Sequence, residues 1–255
     1  FNGSRVNRAL LSLNDLSGVG QVQGVLRAGE AVGTTSLIVD VPAGKSKIRE
    51  LLLDNAGSRY TGQYRLSGYA QLNNLMHIGD SLDFRVSMSN ESLAYTRVAW
   101  GMPLSNSSLR VGLNLAFNRY QLGDTFAELD AHGTSRTIGA NVSLPLLLDV
   151  QRRIVGEVAL EDRRLTDVVE SVATNIDKQL QNAMLRLSGE LSGSSWSAAW
   201  RAEGTLGLLN IDPPQERAND QNSVRTNGHF TKWNVSASIL HSLSTRSSLY
   251  ATISS

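Results

Sequence analysis

Few side chains in this chain are spaced for catalysis. Glu157 and Glu161 share one face of a candidate strand, but four extended residues hold them about 13 Å apart. That is too far for the paired carboxylates of glycoside hydrolysis. His77, His132, His229 and His241 are scattered and lack metal-ligand spacing. The chain has no cysteine, which excludes disulfides, zinc-thiolate clusters and thiol nucleophiles. Serine is abundant, yet no Gly-x-Ser-x-Gly elbow occurs. Gly44-Lys45-Ser46 resembles the close of a phosphate-binding loop, but Val39 stands where the first glycine belongs. Gly18-x-Gly20 with Gly24 has the wrong spacing for a dinucleotide fingerprint and precedes a strand. Turn glycines account for both. The sequence predicts no catalytic centre, no metal, no cofactor and no nucleotide.

What remains is a set of charged residues at alternating positions. Arg65, Arg85, Arg97, Arg110, Glu157, Arg186, Glu190, Arg201 and Glu203 form the candidate functional set, with Asp83 and Glu161 beside them. Each stands opposite an apolar face. In 108–120, Leu109, Val111, Leu113, Leu115 and Phe117 alternate with Arg110, Gly112, Asn114, Ala116 and Asn118. Ile138, Ala140, Val142, Leu144, Leu146 and Leu148 continue the pattern, as do Trp196, Ala198, Trp200, Ala202, Leu206 and Leu208 against Ser197, Arg201 and Glu203. The pattern predicts eleven strands, at about 48–56, 60–73, 80–89, 93–102, 108–119, 134–148, 152–163, 179–190, 195–207, 228–241 and 247–255. Most reach the roughly 9–11 residues needed to cross a membrane. Typical soluble strands have about 5–6.

Composition points the same way. Charged residues are 18% of the 255, below the roughly 25% of soluble domains. A net charge of +1 gives no footprint for nucleic acid. No run of about 20 apolar residues is available for a transmembrane helix. A membrane protein without one must close its backbone bonds in a barrel. A soluble β-sandwich also alternates, but rarely with so many long strands. A β-solenoid would show a fixed repeat, and none is found. Charges on the other face would meet lipid at about 2–4 kcal/mol each, so the charged set is assigned to the lumen. A mixed-charge bore suits an unfolded polypeptide or the locking of an inserted loop. It is equally the pattern of a plain solvated face.

Connections near 103–107, 149–151, 191–194 and 242–246 are short, and those near 120–133, 164–178 and 208–227 are long and polar. Short periplasmic turns and long outer loops give the orientation, with the N-terminus periplasmic. Arg59 and Tyr60 are expected to end a tight outer hairpin, with a surface lock or client contact as the alternative. Trp196, Trp200 and Trp233 lie on apolar faces, as girdle residues do. Ser192-Gly193-Ser194-Ser195 predicts a two-residue Gly193-Ser194 turn, which sets Arg186 opposite Arg201 and Leu187 opposite Trp200.

The first 45 residues read differently. Val6, Leu10, Leu11 and Leu13 have helical spacing, and Gly18 follows as a stop signal. Two short strands, 19–26 and 34–41, flank a turn at Gly33. This is too little for a stable domain and is read as the back half of one. The start at Phe1-Asn2-Gly3-Ser4 carries no signal peptide. An odd strand count ending at Ser255 reads as truncation, since single-chain barrels have even counts.

At this point the sequence resembles the transporter component of two-partner secretion, the haemolysin secretion/activation type within the Omp85 superfamily. Leu10 to Val19, Leu26-Arg27-Ala28-Gly29 and Gly33 to Val39 are similar to the end of that family's second POTRA domain. Asp54-Asn55-Ala56-Gly57-Ser58-Arg59-Tyr60-Thr61-Gly62 is similar to its first barrel hairpin. Leu72-Asn73-Asn74-Leu75 with Gly79-Asp80, and Tyr120-Gln121-Leu122-Gly123 with Phe126 and Gly133, resemble later connections. The resemblance implies an all-β transmembrane barrel, here about eleven of roughly sixteen antiparallel strands. Residues 1–45 would be the C-terminal part of a periplasmic α+β POTRA domain, and 46–255 the N-terminal part of the barrel. It implies export of an unfolded partner protein (a haemolysin, adhesin or contact-dependent toxin) through the outer membrane, with lipid as the other partner. A passive porin and an outer-membrane lipase are the rivals. A porin would carry no POTRA half-domain, and a lipase would need a Ser/His pair near one rim.

Overall fold

Alternation becomes pairing in a computed structural model that describes residues 3–31, 33–104 and 108–255. Residues 105–107 of the expected 103–107 connection, and Phe1-Asn2, lie outside the described residues. Helix α1 (Gly3–Asn14) leads into β1 (Gln23–Ala28) and β2 (Thr35–Asp40), an antiparallel pair. Eleven further strands follow: β3 (Lys47–Asp54), β4 (Arg65–Asn73), β5 (Ser81–Ser89), β6 (Ala94–Pro103), β7 (Arg110–Gln121), β8 (Ala131–Leu148), β9 (Arg152–Val169), β10 (Thr174–Ser192), β11 (Trp196–Ile211), β12 (Gly228–Ser244) and β13 (Ser247–Ser254). Helix α2 (Pro214–Gln221) lies between β11 and β12. All eleven form one antiparallel sheet in chain order, open between β3 and β13.

Its apolar side chains are outside. Leu113, Ile138, Leu160, Leu206 and Trp233 are all more than half exposed. The buried apolar residues, such as Ala131, Ala159 and Ile211, are few. A soluble sandwich would bury that face, because monomers seldom expose large contiguous apolar patches.

The apolar band is slanted across the ladder. One row of paired residues facing this side runs Leu51, Gly68, Val86, Thr96, Phe117, then Arg136, Arg164, Gln179 and Asn210. It is apolar on the early strands and polar on the later ones. Lower down, Lys47 and Arg49 begin rows that continue through Leu82, Leu113 and Leu160, or through Phe84, Leu115 and Ile138. The band therefore drops by about one residue per strand. A step of about 3.3 Å along the strand per 4.8 Å across corresponds to a tilt of about 35°, the strand tilt of membrane barrels.

Three expectations are corrected here. Residues 164–178 are not a long loop. β9 and β10 zip up to Val169 and Thr174, leaving only 170–173 between them. This stretch has no Gly or Pro and is rich in β-branched residues, so it favours a strand. It is polar because it projects past the apolar band. Arg59 and Tyr60 do not end a tight hairpin: the connection is 55–64. Asp54 ends β3 by accepting from Ala56 N (2.9 Å) and Arg65 Nε (3.0 Å). The loop then leans over 90–93, and Gly123 N donates to the Tyr60 carbonyl at 2.7 Å. The Tyr60 and Phe126 rings pack at a tilt, with centroids 5.0 Å apart, and Arg59 lies 3.5 Å from Asp124. The alternative of a surface lock describes this contact.

The third correction is register. The central turn residues are Ser194-Ser195, not Gly193-Ser194, since Gly193 N donates to Trp196 O (2.8 Å). The ladder is thus two residues off the expectation. Arg186 faces Glu203, Leu187 faces Ala202 and Trp200 faces Gly189. Faces are unchanged by an even shift. The observed register removes an Arg–Arg opposition and lays the Trp200 indole over Gly189, leaving no room for a Cβ there. Trp233 covers Gly204 in the same way. Cysteines replacing Leu187 and Ala202 in the full-length parent should therefore crosslink readily, and cysteines replacing Leu187 and Trp200 poorly. The opposite order on non-reducing gels would return the register to the sequence-based one.

Candidate functional site

Opposite the apolar band lies a polar face, and the pairing places all nine candidate residues on it. Arg186 is its centre. On β10 it lies between Glu157 of β9 and Glu203 of β11, both in direct register. Its Nη1 meets Glu157 Oε1, and its Nε donates to Glu203 Oε2 at 2.7 Å. Asn234 of β12 donates to the other Glu203 oxygen at 3.4 Å. Period-two spacing puts each charge on this face, and pairing across three strands brings them together.

The rest of the set is spread over the wall. Arg65 is tied to Asp54 by two bonds of 3.0 and 2.9 Å. Arg85 and Arg97 face each other across β5 and β6. The Arg85 guanidinium sits 5.6 Å from the Tyr69 ring, whose hydroxyl donates to Asp83 (2.6 Å). Arg201 stands between Ser188 and Ser236, and Glu190 faces Arg153. Glu161 pairs with Arg163 at 3.0 Å. Between β5 and β10 the wall holds a depression of about 700 Å³, reached by Arg97, Asn114, Thr137, Glu157 and Arg186. Its lining offers hydrogen bonds and charge of both signs. None of these residues forms a nucleophile–base pair.

Asp15 and Arg153 are functional candidates that sequence reasoning missed. Arg153 Nη1 donates to Asp15 Oδ1 at 2.6 Å, and Arg110 Nη1 to the Asp15 carbonyl at 3.4 Å. Arg8 Nη2 reaches the Pro145 carbonyl (3.3 Å), beside the bulge between Pro145 and Leu147. Ser12 meets Ser108 at 3.1 Å. Leu16 packs against Gly79 in the turn 74–80, where Asp80 is fully buried and accepts from Met76 N (3.0 Å) and Trp100 Nε1 (3.3 Å). Residues 3–18 are thus pinned to one rim of the sheet. Arg153 was legible by parity, being four and eight residues from Glu157 and Glu161. Asp15 was not, because its partner lies 138 residues away.

At the opposite rim the 212–227 connection is an ordered cap. Asp220 accepts from Thr226 Oγ1 (2.6 Å), Thr226 N (3.0 Å) and Asn227 N (2.9 Å). The Thr226 hydroxyl first, then the two backbone donors, hold this carboxyl below the ordinary carboxylate value.

Comparison with known proteins agrees with this architecture. Residues 33–253 match the family described as haemolysin secretion/activation protein ShlB/FhaC/HecB. The chain is 27% identical over 227 residues to the heme/hemopexin transporter protein HuxB of Haemophilus influenzae strain 86-028NP, covering 88% of this chain and 40% of that protein. HuxB of strain KW20 gives 26% over the same length. The chain thus spans about 40% of the length of these curated relatives. Among solved structures, CdiB from Escherichia coli aligns with a TM-score of 0.74 at 17% identity, over 100% of this chain and 49% of that one. CdiB from Acinetobacter baumannii gives 0.59 at 16%, over 99% and 57%. With 33–253 matched, most of its length, the chain belongs to the haemolysin secretion/activation protein ShlB/FhaC/HecB family.

Proposed function

We propose that this chain is part of an outer-membrane β-barrel that exports a large partner protein by two-partner secretion. The observation that carries the reading is the slanted apolar band on one face and the charged, hydrogen-bonding wall on the other. Lipid cannot satisfy open sheet edges, so β3 and β13 meet further strands of a closed barrel of about sixteen. The nine candidate residues then face the lumen. Arg186 with its two glutamates gives an extended polypeptide a polar wall of nearly balanced charge. Residues 46–255 belong to the barrel.

Residues 1–45 are the C-terminal part of a POTRA domain on the periplasmic side, with 55–64, 122–130 and 212–227 outside the cell. A helix pinned beneath the rim, followed by two antiparallel strands, supports this reading, and a passive porin does not call for them. The exposed β1–β2 pair offers a sheet edge to which an unfolded client adds a strand. Neither nucleotide nor nucleic acid is called for.

Deleting the gene in the source bacterium should remove one large polypeptide from the culture medium or cell surface, and complementation should restore it. A porin would instead change uptake of small solutes and leave secreted proteins untouched. That second pattern would overturn the proposal.

A further inference from the structure

Three arginines point away from the polar wall. Arg119 on β7, Arg136 on β8 and Arg164 on β9 are exposed and lie on the same face as Leu113, Ile138 and Leu160. Arg136 and Arg164 are direct partners across β8 and β9, and Arg119 is diagonal to Arg136, whose own partner is Phe117. Direct cross-strand neighbours have Cβ atoms about 5 Å apart and diagonal ones about 7–8 Å. Like charges so placed repel unless an anion bridges them. Among the described residues, Arg119 and Arg136 make no ion pair. Arg164 has a loose one to Asp162 at 3.8 Å. Asp162 is already engaged by Gln179 (2.6 Å) and Gln181 (3.2 Å), and Asp177, on the far side of Arg164, by Thr166 (2.6 Å).

The level of this cluster is telling. Arg119 lies two residues beyond Phe117, Arg136 two beyond Ile138 and Arg164 four beyond Leu160, towards the end that carries the long loops. Each is therefore just past the apolar band. Below them the apolar face holds a groove of about 680 Å³, walled by Leu113, Ile138, Leu160 and Leu206 over the small side chains of Ala140 and Ala183, with Asp162 and its partner Gln181 at the edge nearest the arginines. A cationic rim above an apolar groove fits an amphiphile with an anionic head. Guanidinium forks match phosphate oxygens in pairs.

We propose that Arg119, Arg136 and Arg164 bind the phosphorylated headgroup of an outer-leaflet glycolipid, with an acyl chain in the groove below. The inference rests on the barrel and orientation proposed above. The test uses the full-length parent in detergent, titrated with lipid A bearing two phosphates. The Arg119→Gln/Arg136→Gln/Arg164→Gln variant should bind at least tenfold more weakly, and Arg136→Gln alone about threefold. Arg246→Gln, at the other end of the sheet, should bind as the native protein does. Dephosphorylated lipid A should bind the native protein no better than the triple variant binds the intact lipid. Equal binding by native and triple-variant protein, both with heat-modifiable gel mobility, overturns the site. Displacement of lipid A by equimolar inorganic phosphate also overturns it, since the site would then read phosphate alone. A native protein without heat-modifiable mobility overturns the barrel reading instead, and the lipid site with it.

Discussion

Leu113→Arg should nearly abolish assembly of the full-length parent in the outer membrane, while Asn114→Arg should leave most of it intact. The two residues are adjacent on β7 but face opposite ways. Leu113 is paired between Trp100 and Ala140 on the apolar face and is 56% exposed. Its row lies within the apolar band from β4 to β11, so an arginine there meets hydrocarbon near mid-depth. That costs about 2–4 kcal/mol, and each 1.4 kcal/mol is about tenfold in the assembled fraction. Asn114 is paired between Ala99 and Gly139, and its amide lies over the glycine. An arginine there extends over an open polar surface towards Glu161, the next partner in the row. Outer-membrane yields of the two variants, relative to the native protein, check this. Equal yields would overturn either the assignment of faces or the membrane reading.

The contrast between these neighbours also explains what was legible in the sequence. β7 and β11 could be read residue by residue because one face meets apolar surroundings and the other water. That difference writes period two into the chain. The signal fades where both faces meet water. Residues 164–178 looked like a loop for this reason, although Thr166, Val168, Val169, Thr174 and Ile176 carry β propensity. The 55–64 connection failed differently: its conformation is set by Asn90, Gly123 and Phe126 on other hairpins. Sequence spacing holds no record of such contacts.

Pairing was the larger gap. Local turn chemistry favoured Gly193-Ser194, yet the register follows interactions distributed along β10 and β11, including Trp200 over Gly189 and Arg186 against Glu203. A glycine opposite an aromatic residue is a cross-strand packing unit, and it is visible only once the strands are aligned. The slant of the apolar band is of the same kind. Each strand alone gives its apolar run, and only the ladder turns the offsets between runs into a tilt. The nine charged candidates were therefore readable as one face, while the Glu157–Arg186–Glu203 contact was not.

That contact carries the second large expected effect. Arg186→Glu should sharply lower the temperature at which the full-length barrel loses its heat-modifiable mobility. The substitution places three carboxylates side by side on β9, β10 and β11 in place of an arginine held by two. At a spacing of about 5 Å and an effective dielectric of about 20, each adjacent repulsion is of order 3 kcal/mol. The native attractions are lost as well. Side chains here are roughly a quarter exposed or less, so water and salt reduce these figures without cancelling them. Arg186→Glu combined with Glu203→Arg should recover much of the loss, because one opposite-charge pair is restored in the same register. In the register expected from the turn sequence, position 186 would face Arg201 instead; Arg186→Glu would then gain an attraction on the β11 side that offsets its repulsion from Glu157 on β9, and Glu203→Arg would recover nothing. Melting of the single and double variants at pH 8 decides between the two. A single variant at least as stable as the native protein would remove both the ion-pair network and the alignment of β10 with β11.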